Sequence, residues 1–477
     1  MSIDNERVHD WVLTGIAVAM AGLWMWTFAA TPQQAGPVDV RTIEDFGRIH
    51  DAGESYPTVV RDLIGLEGTS EDTPKAIVEA AHERAIALPP SRDLRLVVVA
   101  MAAAWGVQDV ARDEIAAMSA GDAMPEALQL TVADLERLAR GAPIDTIDRV
   151  VATLTEAGAS SWLLDRVRSR HYAIIGDTDR AAATDRAAIA TATRGVDVKM
   201  VSVFAELGLV ALGFIMLFLV PFLRPRLARR GYGLGSAPSP FLLARTQRVV
   251  VMAFVAFLLT SLIFGLVAGS LGATGPTPLS AGLVAMQILT QGAIWLALIQ
   301  HYGRASDDHR PLSPALGLGV GMLPGRGAAL AAWIIPGIAM CAFVTIAAQF
   351  LTLFLFGPPS STQSSIDILL GDGSVTTFAL LVLGAAVFAP LVEEILFRGF
   401  LFRNLRGSVG VATAVVFSGL VFGAVHLDPE RLLPLSALGA MLALLYEWSG
   451  SLLVPVIVHG LWNLLQLVGV WVIYHGT

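Results

Sequence analysis

The sequence predicts an all-α fold: a polytopic helical membrane bundle of about nine spans carrying an inserted extracytoplasmic α-helical domain. Three observations predict it. Of 477 residues, 55% are hydrophobic and 15% charged, too apolar a balance for a soluble chain of this length. Apolar runs long enough to cross about 30 Å of hydrocarbon at about 1.5 Å per residue recur along most of the sequence. Residues 31–198 interrupt them with a polar stretch holding 27 acidic and 17 basic residues, a local balance of −10.

In chain order, residues 11–30 form the first apolar run. The segment before it is not a basic secretory leader and no small-residue cleavage site follows, so residues 1–30 read as a retained membrane anchor. Residues 31–198 open on a Pro- and Gly-containing segment and continue in Ala-rich stretches of helical spacing at 75–88, 92–105, 125–140 and 177–193. Breaks fall at Gly, Pro and Asp. Antiparallel helix pairs, as in a short solenoid, are expected there. Its acidic balance disfavours anionic lipid heads, and its partner is unknown. Residues 199–327 hold accessory membrane helices, with runs near 200–222, 248–270 and 279–300. Residues 328–477 form the core, with runs near 328–356, 376–402, 408–427, 432–448 and 452–474.

Orientation follows from the basic residues. Arg224, Arg226, Arg229, Arg230, Arg245 and Arg248 cluster between the second and third runs, which places that loop in the cytoplasm. Alternation then puts 301–327 and the stretch from Arg403 to Arg406 inside, and 31–198 and the acidic 357–375 loop outside. The chain is expected in the cell membrane, its partners the lipid bilayer and a membrane-associated protein or peptide. No basic stripe is interleaved with aromatics, so a nucleic-acid partner is not expected. The single cysteine, Cys341, excludes an intrachain disulfide and a Cys-based zinc site.

Ionisable groups inside lipid-fit stretches are costly and mark function by default. Three such stretches stand out: Glu393-Glu394-Ile395-Leu396-Phe397-Arg398, Phe422 to His426, and His459 to Asn463. Glu394 and Arg398 are four apart with the acid first, the favourable order for an intrahelical ion pair. Glu393, turned by about 100°, keeps no intrahelical basic partner, the condition of a carboxylate that can take a proton from water. Alone, this motif equally suits a buried ion network that braces helices. A lone histidine in an apolar run is usually a packing residue. His426 and His459 each have a companion four positions away, Phe422 as a wall and Asn463 as an amide donor able to stabilise an oxyanion. The expectation is that Glu393 meets both imidazoles around a shared wet pocket.

These motifs, in this order, resemble the CPBP family of CAAX proteases and bacteriocin-processing enzymes, also called ABI. Its pattern is Glu-Glu-x-x-x-Arg, then Phe-x-x-x-His, then His-x-x-x-Asn. Glu393, Glu394, Arg398, Phe422, His426, His459 and Asn463 match every position, and the resemblance covers about 330–475. It implies an intramembrane endopeptidase. In that reading Glu393 with His426 activates water, His459 and Asn463 hold the oxyanion, and Glu394 with Arg398 supports them. The family has also been described as metal-dependent, which would give a zinc-like ion held by His426, His459 and either Glu393 or Glu394; otherwise no cofactor is implied. The resemblance leaves residues 31–198 and the first spans unaccounted for.

Other chemistries find less support. No His-Glu-x-x-His occurs. Val416-Phe417-Ser418-Gly419 lacks the leading glycine of a rhomboid motif, and Leu370-Gly371-Asp372 lacks that of a presenilin motif. The glycine-rich run from Gly317 to Gly321 follows no strand, which disfavours a phosphate loop. Two alternatives to an enzyme stand: a non-catalytic scaffold or immunity-type relative, and a proton-coupled transporter. The latter is disfavoured because no inverted repeat is evident and the charges cluster in one third of the chain.

Overall fold

A computed structural model describes residues 37–53, 74–87, 91–119, 124–229, 243–273, 275–303, 326–356, 366, 368–369 and 373–475. Among these the regular structure is helical, with no strand. The expected anchor at 11–30, the 317–321 glycine run and the 370–372 turn lie outside the described residues. Two compact units emerge, one centred on Pro32–Ser202 and the other on Val203–Val470.

The first unit contains α1 (Pro37–Gly53), α2 (Pro74–Ala87), α3 (Arg92–Trp105), α4 (Gln108–Ser119), α5 (Glu126–Ala139), α6 (Ile147–Glu156), α7 (Ser161–Ile174) and the start of α8 (Thr178–Arg229). Helix α3 is capped by Ser91, whose side chain accepts from the Leu94 amide, and ends at Gly106 in the left-handed region. Its residues from Leu96 to Ala103 are all buried, because α3 touches α1, α2, α4, α5, α6 and α7. Consecutive helices of the unit also pack on one another. The apolar run Val97-Val98-Val99-Ala100-Met101 makes α3 central, since an all-round apolar helix must be covered on every side.

The second unit holds the rest of α8 and α9 (Leu243–Ser270), α10 (Pro278–Leu298, closed by a π turn at Ile299–Gly303), α11 (Arg326–Phe356), α12 (Val375–Val409), α13 (Val411–Ala424), α14 (Leu432–Ser449) and α15 (Leu453–His475). Seven helices among the described residues are long and apolar enough to cross a membrane. The expected run at 408–427 gives only α13, shorter than a full span. Side chains such as Phe354, 85% exposed, face outward along these helices, as a lipid-facing surface requires.

Close approach in this bundle rests on small residues. A Cβ on Gly423 of α13 would sit 2.7 Å from the Leu432 carbonyl oxygen, so α13 and α14 touch backbone to backbone. A Cβ on Gly460 of α15 would sit 2.5 Å from the Ala386 carbonyl oxygen of α12. Helix α12 is α-helical at each end and in its middle but widens into π turns at Val382–Phe388 and Ile395–Phe402. Pro390 lies between them and lacks an N–H, so a carbonyl one turn earlier loses its in-helix donor.

Candidate active site

Glu393 and Glu394 sit where α12 passes from its central α turn into the second π segment. The Glu394–Arg398 pair expected from spacing is made: Arg398 Nη1 donates to Glu394 Oε1 at 2.8 Å, with both side chains fully buried. Arg398 Nη2 donates to the Gly439 carbonyl of α14 at 2.8 Å, and the guanidinium lies 4.5 Å from the Phe422 ring centroid. One cation is thus held by a carboxylate, a backbone dipole and an aromatic face, which together replace the water it gave up.

His459 is buried in α15, beside the Gly460 contact that draws that helix onto α12. Its Nδ1 lies 2.9 Å from Glu394 Oε1 and its Nε2 lies 4.0 Å from Glu393 Oε2. Glu394 therefore serves Arg398 and His459 together and orients the imidazole toward Glu393. Asn463, one turn on, donates from Nδ2 to the Ala385 carbonyl at 2.8 Å. In a π turn the Ala385 carbonyl looks to residue 390 for its donor, and Pro390 has none. Asn463 supplies it, so one of its two N–H groups ties α15 to α12 and one remains.

His426 lies past the end of its helix. Helix α13 ends at Ala424, and His426 stands in the following turn, exposed, with Nδ1 2.7 Å from the Phe422 carbonyl. Leu427 has φ 54°, a left-handed conformation costly for a residue with a Cβ. Asp428 Oδ1 then accepts from the Glu430 and Arg431 amides at 3.1 Å. Asp428 precedes Pro429, a context that disfavours helix. The apolar sequence runs on through 427, but these backbone features end the helix earlier. Phe422 is the wall expected of it: fully buried, it stands 5.0 Å from the His426 ring and 5.7 Å from that of His459.

Glu393 and His426 line one cavity of about 140 Å³, together with Phe254, Phe257, Trp295 and Phe397. Glu393 also reaches a second cavity of about 70 Å³, beside Gln287 and Gln291. His459 is next to Glu393 but is not on either wall. The expected meeting is therefore layered: Glu393 and His426 share the cavity, and His459, Glu394, Arg398 and Phe422 lie behind it.

The zinc-like set does not fit this arrangement. His459 Nε2 and Glu393 Oε2 are spaced to share an ion, yet among the described residues no three His, Cys, Asp or Glu side chains come together as ligands. The residues that sequence reasoning missed are the aromatic and amide groups of α9 and α10. The signal was there for the amides: Gln287 and Gln291 lie four apart inside an apolar run, on one helix face. Glu447, buried in α14, was also passed over; it takes Arg406 in a two-point contact at 2.6 and 2.8 Å.

Comparison with known proteins matches residues 375–465 to the family model described as type II CAAX prenyl endopeptidase Rce1-like. The chain is 28% identical over 134 residues to "Putative membrane peptidase YdiL" of Bacillus subtilis (strain 168), covering 28% of this chain and 52% of that protein. It is 25% identical over 137 residues to "Membrane-embedded CAAX protease MroQ" of Staphylococcus aureus (strain USA300), covering 28% of this chain and 54% of that protein. The chain thus spans about half the length of the curated relatives it matches. No solved structure matches it significantly. The apolar helices and these relatives agree on a multi-pass membrane protein. Residues 375–465, which contain all seven motif positions, are thus similar to the Rce1-like CAAX endopeptidase family.

Proposed function

We propose that the chain is an intramembrane endopeptidase that hydrolyses a peptide bond of a membrane-associated protein or peptide. The observation that carries this reading is the shared cavity wall of Glu393 and His426, backed by a buried cluster that orients the neighbouring imidazole. Water held between Glu393 and His426 attacks the peptide carbonyl carbon, and Glu393 takes its proton. Collapse of the tetrahedral intermediate breaks the C–N bond, and that proton passes to the leaving amine. His459 and the remaining N–H of Asn463 hold the oxyanion. Nδ1 of His459 faces Glu394, which leaves Nε2 on the side of Glu393. Glu394, Arg398 and Phe422 position these groups. No step is routed through a metal.

In this reading residues 328–477 are the protease core, 199–327 are accessory spans, 1–30 anchor the chain and 31–198 face outward, as the arginine distribution supports. The test is cleavage by the purified protein in proteoliposomes, with prenylated and unprenylated membrane-tethered peptides and products identified by mass. Cleavage that is lost in His426→Ala at unchanged melting temperature, and kept in chelator, supports the reading. Loss in chelator with recovery on added zinc overturns the glutamate–water step. A folded protein that cleaves nothing leaves a scaffold, for which the Arg398 network alone would suffice.

A further inference from the structure

Four of the nine residues that line the cavity shared by Glu393 and His426 come from helices that the family match does not include. Val250, Phe254 and Phe257 come from α9 and Trp295 from α10, all outside residues 375–465. Apart from Glu393 and His426 its lining is aromatic or aliphatic. The one polar atom among those side chains, Trp295 Nε1, is turned away and donates to the Ala253 carbonyl at 2.9 Å. The walls are set in advance. Trp295 meets Phe397 edge-on with centroids 6.2 Å apart, and Phe254 stacks with Phe257 at 6.4 Å. At about 140 Å³ the space is close to the roughly 150 Å³ apolar cavity that takes up benzene. It admits one side chain of leucine or phenylalanine size and not an extended lipid chain.

We infer that Phe254, Phe257 and Trp295 form a specificity pocket for a single large apolar side chain of the substrate, on the residue flanking the cleaved bond. This rests on the peptidase reading and deepens it. A side chain seated there brings its own backbone carbonyl to the polar end of the cavity, where Glu393 and His426 stand. The accessory spans of this chain, and not its family segment alone, then set which bond is cut.

The test uses the full-length protein in proteoliposomes and membrane-tethered peptides that differ only in having Leu, Phe, Ala or Asp beside the cleaved bond. Filling one methylene-sized gap in an apolar pocket is worth about tenfold or more in specificity, so kcat/KM for Leu or Phe should exceed that for Ala by at least about tenfold. Val250→Phe narrows the pocket and should shift the ratio toward Ala. Phe254→Ala widens it and should shift the ratio toward Phe, so the inference stays testable if either variant fails to fold. Equal rates for all four peptides with wild type, or a Leu-to-Ala ratio unmoved in both variants while Glu393→Gln abolishes cleavage, overturns the pocket and spares the peptidase reading. A uniform fall for every peptide in both variants also overturns it, as a lipid occupant would produce. Wild type that cleaves no peptide, like Glu393→Gln, sinks both.

Discussion

Replacing Arg398 with leucine should be the most damaging single change to the folded core. Arg398 and Glu394 are fully buried, 2.8 Å apart, and the same guanidinium reaches the Gly439 carbonyl and the Phe422 ring. At an effective dielectric constant near 20, two unit charges at that distance attract by about 6 kcal/mol, against about 1.5 kcal/mol in bulk water. Desolvation offsets much of the larger figure, so the net worth of the pair is small. The penalty lies in breaking it. Removing one partner leaves a buried charge uncompensated, at about 3–5 kcal/mol, whereas exposed pairs are worth about 0–1 kcal/mol. Replacing both partners by leucine should cost less than the sum of the single changes by about 2 kcal/mol or more, because no charge is then stranded. Part of the loss should persist, since His459 Nδ1 also loses Glu394. The assay is reversible unfolding in mixed micelles for Arg398→Leu, Glu394→Leu and the double variant. Losses below about 1 kcal/mol for Arg398→Leu, or additive single effects, would refute the reasoning.

Gly460→Ala should lower stability by about 1–3 kcal/mol through overpacking and impair cleavage, because its Cβ would meet the Ala386 carbonyl oxygen at 2.5 Å; wild-type stability and rate would show that α12 and α15 are not in contact. Leu427→Val should cost about 1–2 kcal/mol by deepening left-handed strain, while Leu427→Gly should not destabilise; equal losses in both would refute the strain. In the Pro32–Ser202 unit, burial lowers the pKa of His171 below its ordinary 6.5. The folded state then holds fewer protons than the unfolded one, so stability present above pH 6.5 is lost as pH falls below it. His171→Phe should remove that part of the pH dependence in thermal melts between pH 7.5 and 5.5, and an unchanged slope would place its origin elsewhere.

Much of the site was legible because it obeys helical spacing. Glu394 and Arg398 pair at i and i+4 even though a π turn begins between them, and Phe422 lies where its spacing to His426 put it. The role of Asn463 was not legible. Its bond to Ala385 depends on a carbonyl released by Pro390 within a π turn, and π turns have no sequence period to read. The end of the helix before His426 was not legible, because apolar residues continue past Ala424 while the Leu427 conformation and the Asp428-Pro429 pair stop the helix. The aromatic wall from α9 and α10 is tertiary in origin. Phenylalanine and tryptophan in an apolar run look the same whether they face lipid or a cavity, so only packing distinguishes Phe254 from Phe354.

The central claim is that Glu393 draws the proton from the attacking water. Glu393→Gln keeps the size and polarity of the side chain and removes its basicity. Single-turnover cleavage of a membrane-tethered peptide by this variant in proteoliposomes should be slower by about 10²–10⁴-fold, with substrate affinity and melting temperature unchanged. A rate within about threefold of wild type would contradict the account, being far smaller than the loss of a general base produces.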